Sequence, residues 1–335
     1  GREGRAEVRR QGRLGRQGQH EAVIPERDCS GVSVRGPRIR LTDSVRMRGV
    51  FFVPNQRMTQ PMQAEQSLRE GRLQDALAEL QAQVRKEPAN AKYRIFLFQL
   101  LAVLGQWERA LNQLNVLGEM DASSLPMVQT YREAIRCELL RAEVFAGHRS
   151  PLLFGDPEPW MALLLEAARL TAVGQHAQAR SARDQAFESA AAVSGTLDAQ
   201  PFEWLADADP RLGPMLEAVV NGRYYWIPLQ RVRSIEFEEP ADLRDYVWVP
   251  GRFTWANGGE TVGLIPARYP GSQAAADPLV QLGRKTEWRD CGEETWLGLG
   301  QRMLATERGE FSLLDVRRIE LNADEDPTEE IAPEP

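Results

Sequence analysis

The chain has 335 residues, of which 42% are hydrophobic and 27% are charged, the composition of a soluble globular protein with room for about two domains. Its net charge of −7 is unevenly spread: residues 1–57 hold 13 Arg against 6 Asp or Glu, a net of +7, so residues 58–335 carry −14. A folded body this acidic argues against nucleic acid as its partner, because phosphate binding needs clustered positive charge.

The residue inventory gives little support to membrane, disulfide or metal chemistry. No uninterrupted apolar run reaches about 18 residues, so the sequence predicts no membrane-spanning helix. Cys29, Cys137 and Cys291 lie far apart, as expected for reduced thiols in a cytoplasmic protein. The three histidines are too scattered to predict a zinc or catalytic centre, and we expect neither a metal nor a cofactor.

Residues 1–57 do not have the pattern of a folded domain. They are rich in Arg, Gly and Gln and show little apolar periodicity, so we expect them to be disordered. A basic arm for nucleic acid is the functional alternative. Because Met58 stands just before the first helical repeat, we interpret this segment as an extension upstream of the natural start.

Two helical hairpins follow in the same register. Gly71 precedes Ala76 by the same interval that separates Gly105 from Ala110. The second glycine and the second alanine each repeat the first after one tetratricopeptide period, about 34 residues. Such repeats bury their apolar faces by stacking on neighbours. Stacked hairpins leave a groove along their first helices, where a partner helix can bind. The candidate groove residues are Arg94, Phe98 and Leu101.

The register continues past an interruption. A third helix is predicted over residues 126–147, followed by a proline-rich break. Gly174 follows Gly105 after close to two further periods, and Ala179 follows Gly174 at the same interval as in the first two hairpins. We therefore predict a tetratricopeptide-like helical domain over residues 58–195.

Beyond residue 195 the pattern changes to short strands. Aromatic and β-branched residues become frequent, and Asn257-Gly258 predicts a hairpin turn. One short helix is predicted over 211–221, and strands are predicted over 224–229, 234–237, 246–249, 261–265, 296–298 and 310–314. We interpret residues 196–322 as a smaller β-rich α+β domain and residues 323–335 as an acidic disordered tail. The fold class is thus α+β.

Two constellations in this β-rich domain could carry a function. Asp207 and Asp209 could bind a divalent cation or could cap the helix predicted to start near Arg211. The second constellation is aromatic and basic. If exposed, it would form a partner-binding patch; if buried, it is core. Its candidate residues are Trp226, Arg268, Tyr269 and Trp288.

Catalytic motifs are not found. The sequence contains neither a GxSxG elbow nor a GxxxxGK[ST] phosphate-binding loop, and residues 177–335 have no histidine for a Ser-His-Asp triad.

The strings ADADPRLGP, GRYYWIP, ARYPGS and GRKTEW, together with the preceding repeats, resemble the ImpE/TagJ family over residues 58–321. The resemblance implies a non-enzymatic, cytoplasmic adaptor of a bacterial type VI secretion system. It implies two partners, the small subunit of the contractile sheath (TssB-like) and the ClpV-type AAA+ ATPase that disassembles contracted sheath. We expect an amphipathic helix of the sheath subunit to bind the groove.

Two other function classes stay open from the sequence. The β-rich domain could be a hydrolase or nucleotide-binding enzyme that uses Asp207 and Asp209. Alternatively, the repeats could belong to a generic peptide-binding co-chaperone.

Overall fold

The computed structural model describes residues 63–323. The predicted basic extension at 1–57, its boundary at Met58 and the acidic tail beyond residue 323 lie outside the described residues. In the part of the chain that the structure describes, no helix is long and apolar enough to cross a membrane.

The predicted repeats form antiparallel helical hairpins. Helices α1 (Gln63–Arg69) and α2 (Leu73–Lys86) are joined at Gly71, and α3 (Ala91–Val103) and α4 (Trp107–Met120) are joined at Gly105. Gly105 has φ +65°, and a Cβ there would meet the side chain of Gln273 at 2.5 Å. Glycine is therefore required both by the left-handed turn and by the close approach of the β-rich region.

Three further helices complete the helical region. Helix α5 (Leu125–Phe145) matches the predicted third helix, and α6 (Pro159–Ala172) and α7 (His176–Ser189) form the last hairpin around Gly174. Ala179 is fully buried, as are Ala76 and Ala110, because the paired helices approach each other closely at these positions. The tetratricopeptide-like architecture is confirmed.

The β-rich region is built on one large sheet. Its strands are β1 (Leu152–Leu153), β2 (Gly195–Leu197), β3 (Gln200–Phe202), β5 (Met215–Val220), β6 (Arg223–Pro228), β7 (Val232–Phe237), β8 (Trp248–Trp255), β9 (Glu260–Pro266) and β14 (Arg318–Leu321). They lie in the order β1-β6-β5-β9-β8-β7-β14-β2-β3, and every neighbouring pair is antiparallel except β1 and β6.

Two smaller sheets and a short helix complete this region. Strands β10 (Thr286–Asp290) and β11 (Trp296–Gly300) form an antiparallel hairpin. Strands β12 (Met303–Thr306) and β13 (Gly309–Ser312) pair with each other, and β12 also pairs with β4 (Ala206–Asp207). Helix α8 (Pro278–Gln281) precedes β10.

Each of the six predicted strands overlaps an observed strand, although the strand predicted over 246–249 shares only residues 248–249 with β8 and the one over 310–314 shares only residues 310–312 with β13. The helix predicted over 211–221 is wrong. The segment MLEAVV is strand β5, and all of its residues are buried. Asn221 and Gly222, with φ +50° and +72°, make the tight turn that joins β5 to β6. A short continuous apolar run fits a buried strand as well as a buried helix, so periodicity alone cannot separate the two.

One apolar cluster is shared by the helices and the sheet. It includes Phe98 of α3, Tyr131 of α5, Trp226 of β6 and Trp248 of β8. A second cluster is formed by β-rich residues alone, among them Ile235 and Phe253. The division of the chain at residues 195 and 196 stays a prediction, although the two regions bury apolar side chains against each other.

Candidate functional site

The face of α3 that carries Phe98 and Leu101 is covered by the chain itself. Both residues are 0% exposed. The Phe98 ring packs on Tyr131, with centroids 5.5 Å apart, and Tyr131 packs on Trp248 at 5.7 Å. Every residue of α3 from Leu97 to Val103 is buried, because a helix that is apolar on all sides needs neighbours on all sides.

Arg94 is the one predicted groove residue with accessible surface. Its Nε donates to the carbonyl of Pro88 at 2.9 Å, and its Nη1 donates to Gln113 Oε1 of α4 at 3.2 Å. Arg94 therefore lies at the edge of the covered face. Whether a partner binds at Arg94, Phe98 or Leu101 stays a prediction.

Arg268 fastens the β-rich region to the C-terminal end of α3. Its buried guanidinium donates to the carbonyl of Val103 at 2.9 Å and to the carbonyl of Gln281. The last carbonyls of a helix lack intrahelical donors and carry partial negative charge, so a cation stabilises them. Burial lowers the pKa of Arg268 to about 10, at which it still carries its charge at neutral pH.

The other candidates of the aromatic and basic constellation do not form one exposed patch. Trp226 is 0% exposed and packs on Phe145 of α5, with ring centroids 5.7 Å apart. Tyr269 is buried and packs on the partly exposed Trp288 at 5.6 Å. The structure brings Tyr269 and Trp288 together, and of the four candidates only Trp288 has much accessible surface. Partner binding by these residues is not tested.

A closed group of charged side chains lies where α5 meets the sheet; we call it the charge cluster. Arg302 is 0% exposed and bridges two carboxylates, with Nη1 2.7 Å from Asp207 Oδ2 and Nη2 2.9 Å from Glu217 Oε1. Arg141 of α5 donates to both oxygens of Glu217 and, through Nη2, to the carbonyl of Arg268 at 2.9 Å. The cluster consists of Arg141, Asp207, Asp209, Arg211, Glu217 and Arg302.

Asp209 organises the turn that leads into β5. It accepts hydrogen bonds from the backbone N–H of Arg211 at 2.9 Å, from the Arg211 side chain, and from the backbone N–H of Gly298 at 2.8 Å. Asp207 accepts from the backbone N–H of Asp209 at 2.8 Å and from the hydroxyl of Tyr269 at 3.0 Å. These hydrogen bonds to Asp207 and Asp209 all come from groups of the chain itself. Within residues 63–323 no group of three or more metal-ligating side chains occurs.

The two carboxylates bridged by Arg302 have opposite pKa shifts. Burial raises the pKa of Asp207 to about 7, because the attraction of Arg302 does not offset the loss of hydration and the neighbouring Asp209. Burial would also raise the pKa of Glu217, but Arg141 and Arg302 together outweigh it and lower that pKa to about 2. Glu217 is therefore the carboxylate that two arginines keep ionised.

Sequence reasoning found part of the charge cluster and missed the rest. Asp207 and Asp209 were singled out, as ligands of a cation or as caps of a helix starting near Arg211, but Glu217, Arg141 and Arg302 were not. A signal for Glu217 was present, because a single acid inside an apolar run such as MLEAVV must be paired if the run is buried. Arg141 and Arg302 carry no comparable signal, since arginines are usually at the surface.

The fold defines a class: an α+β scaffold in which tetratricopeptide-like hairpins are joined to a β-rich region through a buried charge cluster. Comparison with known proteins finds family models that match both regions of the chain. The ImpE protein family model matches residues 199–320, and a tetratricopeptide repeat model matches residues 67–135.

The chain is 56% identical over 259 residues to the type VI secretion system accessory component TagJ of Pseudomonas aeruginosa, an alignment that covers 77% of this chain and 91% of that relative. The chain belongs to the ImpE/TagJ family. The resemblance noted in the sequence is therefore confirmed. A crystal structure of a Vibrio parahaemolyticus protein shares the fold, with a TM-score of 0.71 at 24% identity, covering 77% of this chain and 97% of that one.

Proposed function

We propose that the chain is a non-enzymatic, cytoplasmic adaptor of a type VI secretion system. In this role it binds the TssB-like small subunit of the contractile sheath and links it to the ClpV-type ATPase that disassembles the sheath. The observation that carries the proposal is the 56% identity with an accessory component of that system over nearly all of the relative's length.

The charge cluster supports a scaffold more than an enzyme. Asp207, Asp209 and Glu217 are each at most 5% exposed, and arginines and backbone N–H groups occupy their oxygens. A catalytic carboxylate has to reach its substrate directly or through a water molecule. The arrangement instead joins α5 to the sheet, which is a structural task.

The covered face of α3 narrows the expected docking site. Phe98 and Leu101 face the chain's own core, so a sheath helix would meet the edge formed by Arg94 and Gln113. Substituting Phe98 by Ala would open a cavity and destabilise the fold, typically by about 3–5 kcal/mol, and would confuse stability with binding. Arg94→Glu is the cleaner probe, because it inverts a charge at an accessible position.

The experiment is a pull-down with the purified full chain, the TssB-like subunit and the ClpV-type ATPase from the same secretion system. We expect the sheath subunit to be retained, and Arg94→Glu to weaken its retention. Arg85→Glu, at an exposed position of α2, changes the net charge equally and should have no effect. Failure of the intact chain to retain the sheath subunit would refute the proposal. Equal retention by the Arg94 and Arg85 variants would move the docking site elsewhere.

A further inference from the structure

The hairpin of β10 and β11 has one closed edge and one open edge. The closed edge belongs to β11, where the N–H of Gly298 donates to Asp209 Oδ2 at 2.8 Å and the N–H of Gly300 donates to Ser272 Oγ at 2.7 Å. The carbonyl of Gly300 accepts from the N–H of Tyr269 at 2.9 Å. Gly298 and Gly300 of β11 are thereby hydrogen-bonded to other segments of the chain on the side away from β10.

The outer edge of β10 is open. The N–H of Gln301 donates to the carbonyl of Lys285, and the N–H of Cys291 donates to the carbonyl of Thr295, so alternate residues of β10 point their backbone groups toward β11. The residues between them, Thr286, Trp288 and Asp290, point their N–H and C=O groups away from it. Among residues 63–323 no backbone hydrogen bond of Trp288 to another segment is found.

The charged side chains along this edge are complementary to those of the same edge in a second copy of the chain. Suppose that β10 pairs antiparallel with β10 of a second copy, centred on Trp288. Glu287 of each copy then lies opposite Arg289 of the other, and the outward N–H and C=O groups of Trp288 meet their own counterparts. Shifting the pairing by two residues would place Glu287 opposite Glu287, or Arg289 opposite Arg289, and like charges directly opposite each other are destabilising. The charges thus favour the register centred on Trp288 over the two registers next to it.

The side chains of this edge are available for such a contact. Among the described residues the Arg289 guanidinium, which is exposed, has no hydrogen-bond or ion-pair partner. Glu287 bonds Lys285 through Oε1 at 3.0 Å, which leaves Oε2 free to accept. Trp288 is only partly buried and is held in place by Tyr269. Two such indole rings would lie side by side on one face of the combined sheet.

We propose that the chain forms a homodimer through antiparallel pairing of its β10 strands, producing a four-stranded sheet across a twofold axis. A twofold contact uses the same patch on both copies, and the alternation of Glu287 and Arg289 about Trp288 satisfies that condition. The contact is small beside a standard interface of about 1,600 Å², so we expect a reversible dimer that dissociates on dilution. The proposal does not depend on the secretion role.

The test is sedimentation equilibrium of the full chain over a range of concentrations. We expect a monomer–dimer equilibrium, and Arg289→Glu should weaken it about tenfold or more, because two symmetry-related pairs change from attractive to repulsive. Glu287→Arg should do the same. The double variant E287R/R289E restores opposite charges in the same register and should dimerise nearly as well as the unmodified chain. Arg252→Glu, on the exposed face of β8, is the matched control and should change nothing.

Several results would overturn the proposal. A monomer at every concentration would do so, as would a dimer indifferent to Arg289→Glu. A double variant that fails to recover dimerisation would show that the single variants act by damaging the hairpin. Loss of the dimer in the Arg252 control would indicate a general charge effect. If the chain stays monomeric and an extended peptide from another protein occupies the edge, the second copy is the wrong occupant.

Discussion

Arg302 and Arg318 each bridge a pair of carboxylates, yet they lie in opposite surroundings. Arg302 lies between Asp207 and Glu217 with its side chain 0% exposed. Arg318 lies between Glu236 and Glu320 on the outer face of the sheet with its side chain 53% exposed. The distances from the guanidinium nitrogens to the carboxylate oxygens are alike at the two sites, between 2.7 and 2.9 Å. Because the distances are alike, we expect the difference in burial to decide how much each ion pair contributes to stability.

At the buried site, removing one partner lowers the free energy of unfolding by far more than the intact pair contributes to it. The charges there have lost their hydration, and only the opposite charges compensate for it. At the exposed site, water and salt screen the pair and replace any lost contact. The charge cluster therefore makes the attachment of α5 to the sheet specific, while Arg318 adds little to the fold.

The largest effect is expected for Arg302→Met. This variant leaves Asp207 and Glu217 buried without their shared cation, and removing one partner of a buried pair typically costs about 3–5 kcal/mol of unfolding free energy. Urea unfolding followed by circular dichroism measures the loss. Arg318→Met is the matched control, because it makes the same substitution in an arginine that also bridges two carboxylates, and it should leave stability nearly unchanged. Equal losses in the two variants would contradict the role given to burial.

The helical region could be predicted well from the sequence, because its signals are local. Gly71, Gly105 and Gly174 lie at the turns where a left-handed backbone is needed, and their spacing carries the repeat. What covers α3 could not be predicted in the same way. A helical period is identical whether the partner is another protein or a later part of the same chain. The only signal was that IFLFQLLAV is apolar on every side, which indicates burial all round.

The β-rich region could be predicted only in outline. Six strands were predicted at least in part, whereas β5 was mistaken for a helix and several short strands were not predicted, namely β2, β3, β4, β10, β12 and β14. Its family-specific residues were recognised as motifs, but their structural role in the charge cluster was not predicted. Tyr269 lies far from Asp207 in the sequence, yet its hydroxyl donates to Asp207 in the charge cluster, and a single sequence gives no pairing between residues so distant.

The second prediction concerns the covered face of α3. Leu101→Ala removes a side chain that is 0% exposed, and such changes cost about 2–5 kcal/mol through lost burial and the cavity left behind. Leu139→Ala, in α5, is the control, because Leu139 is 53% exposed. Thermal or urea unfolding should separate the two variants clearly. If Leu101→Ala kept full stability and instead lost a partner, the face would be an open groove rather than core.

The smallest expected effect is a change in how the free energy of unfolding depends on pH, and it concerns Glu217. In the unfolded chain this carboxyl has its ordinary pKa near 4.5, and in the folded chain its pKa is about 2. A lowered pKa in the folded state means that the carboxylate stabilises the fold above about pH 5, and this contribution is lost as the pH falls toward 2. Asp207 acts in the opposite direction, since its pKa of about 7 makes its contribution fade as the pH rises from about 4 through 7.

Glu217→Gln tests the acid side of this balance through the pH slope, because the variant also lowers stability at neutral pH by leaving Arg141 and Arg302 without their shared carboxylate. Unfolding free energies measured from about pH 7 to pH 3 should fall less steeply below about pH 5 in this variant than in the unmodified chain, because the variant has no carboxylate to protonate at this position. Glu236→Gln removes a carboxylate that is about half exposed and should leave the slope unchanged. An unaltered slope in Glu217→Gln would mean that Arg141 and Arg302 do not hold this carboxyl ionised.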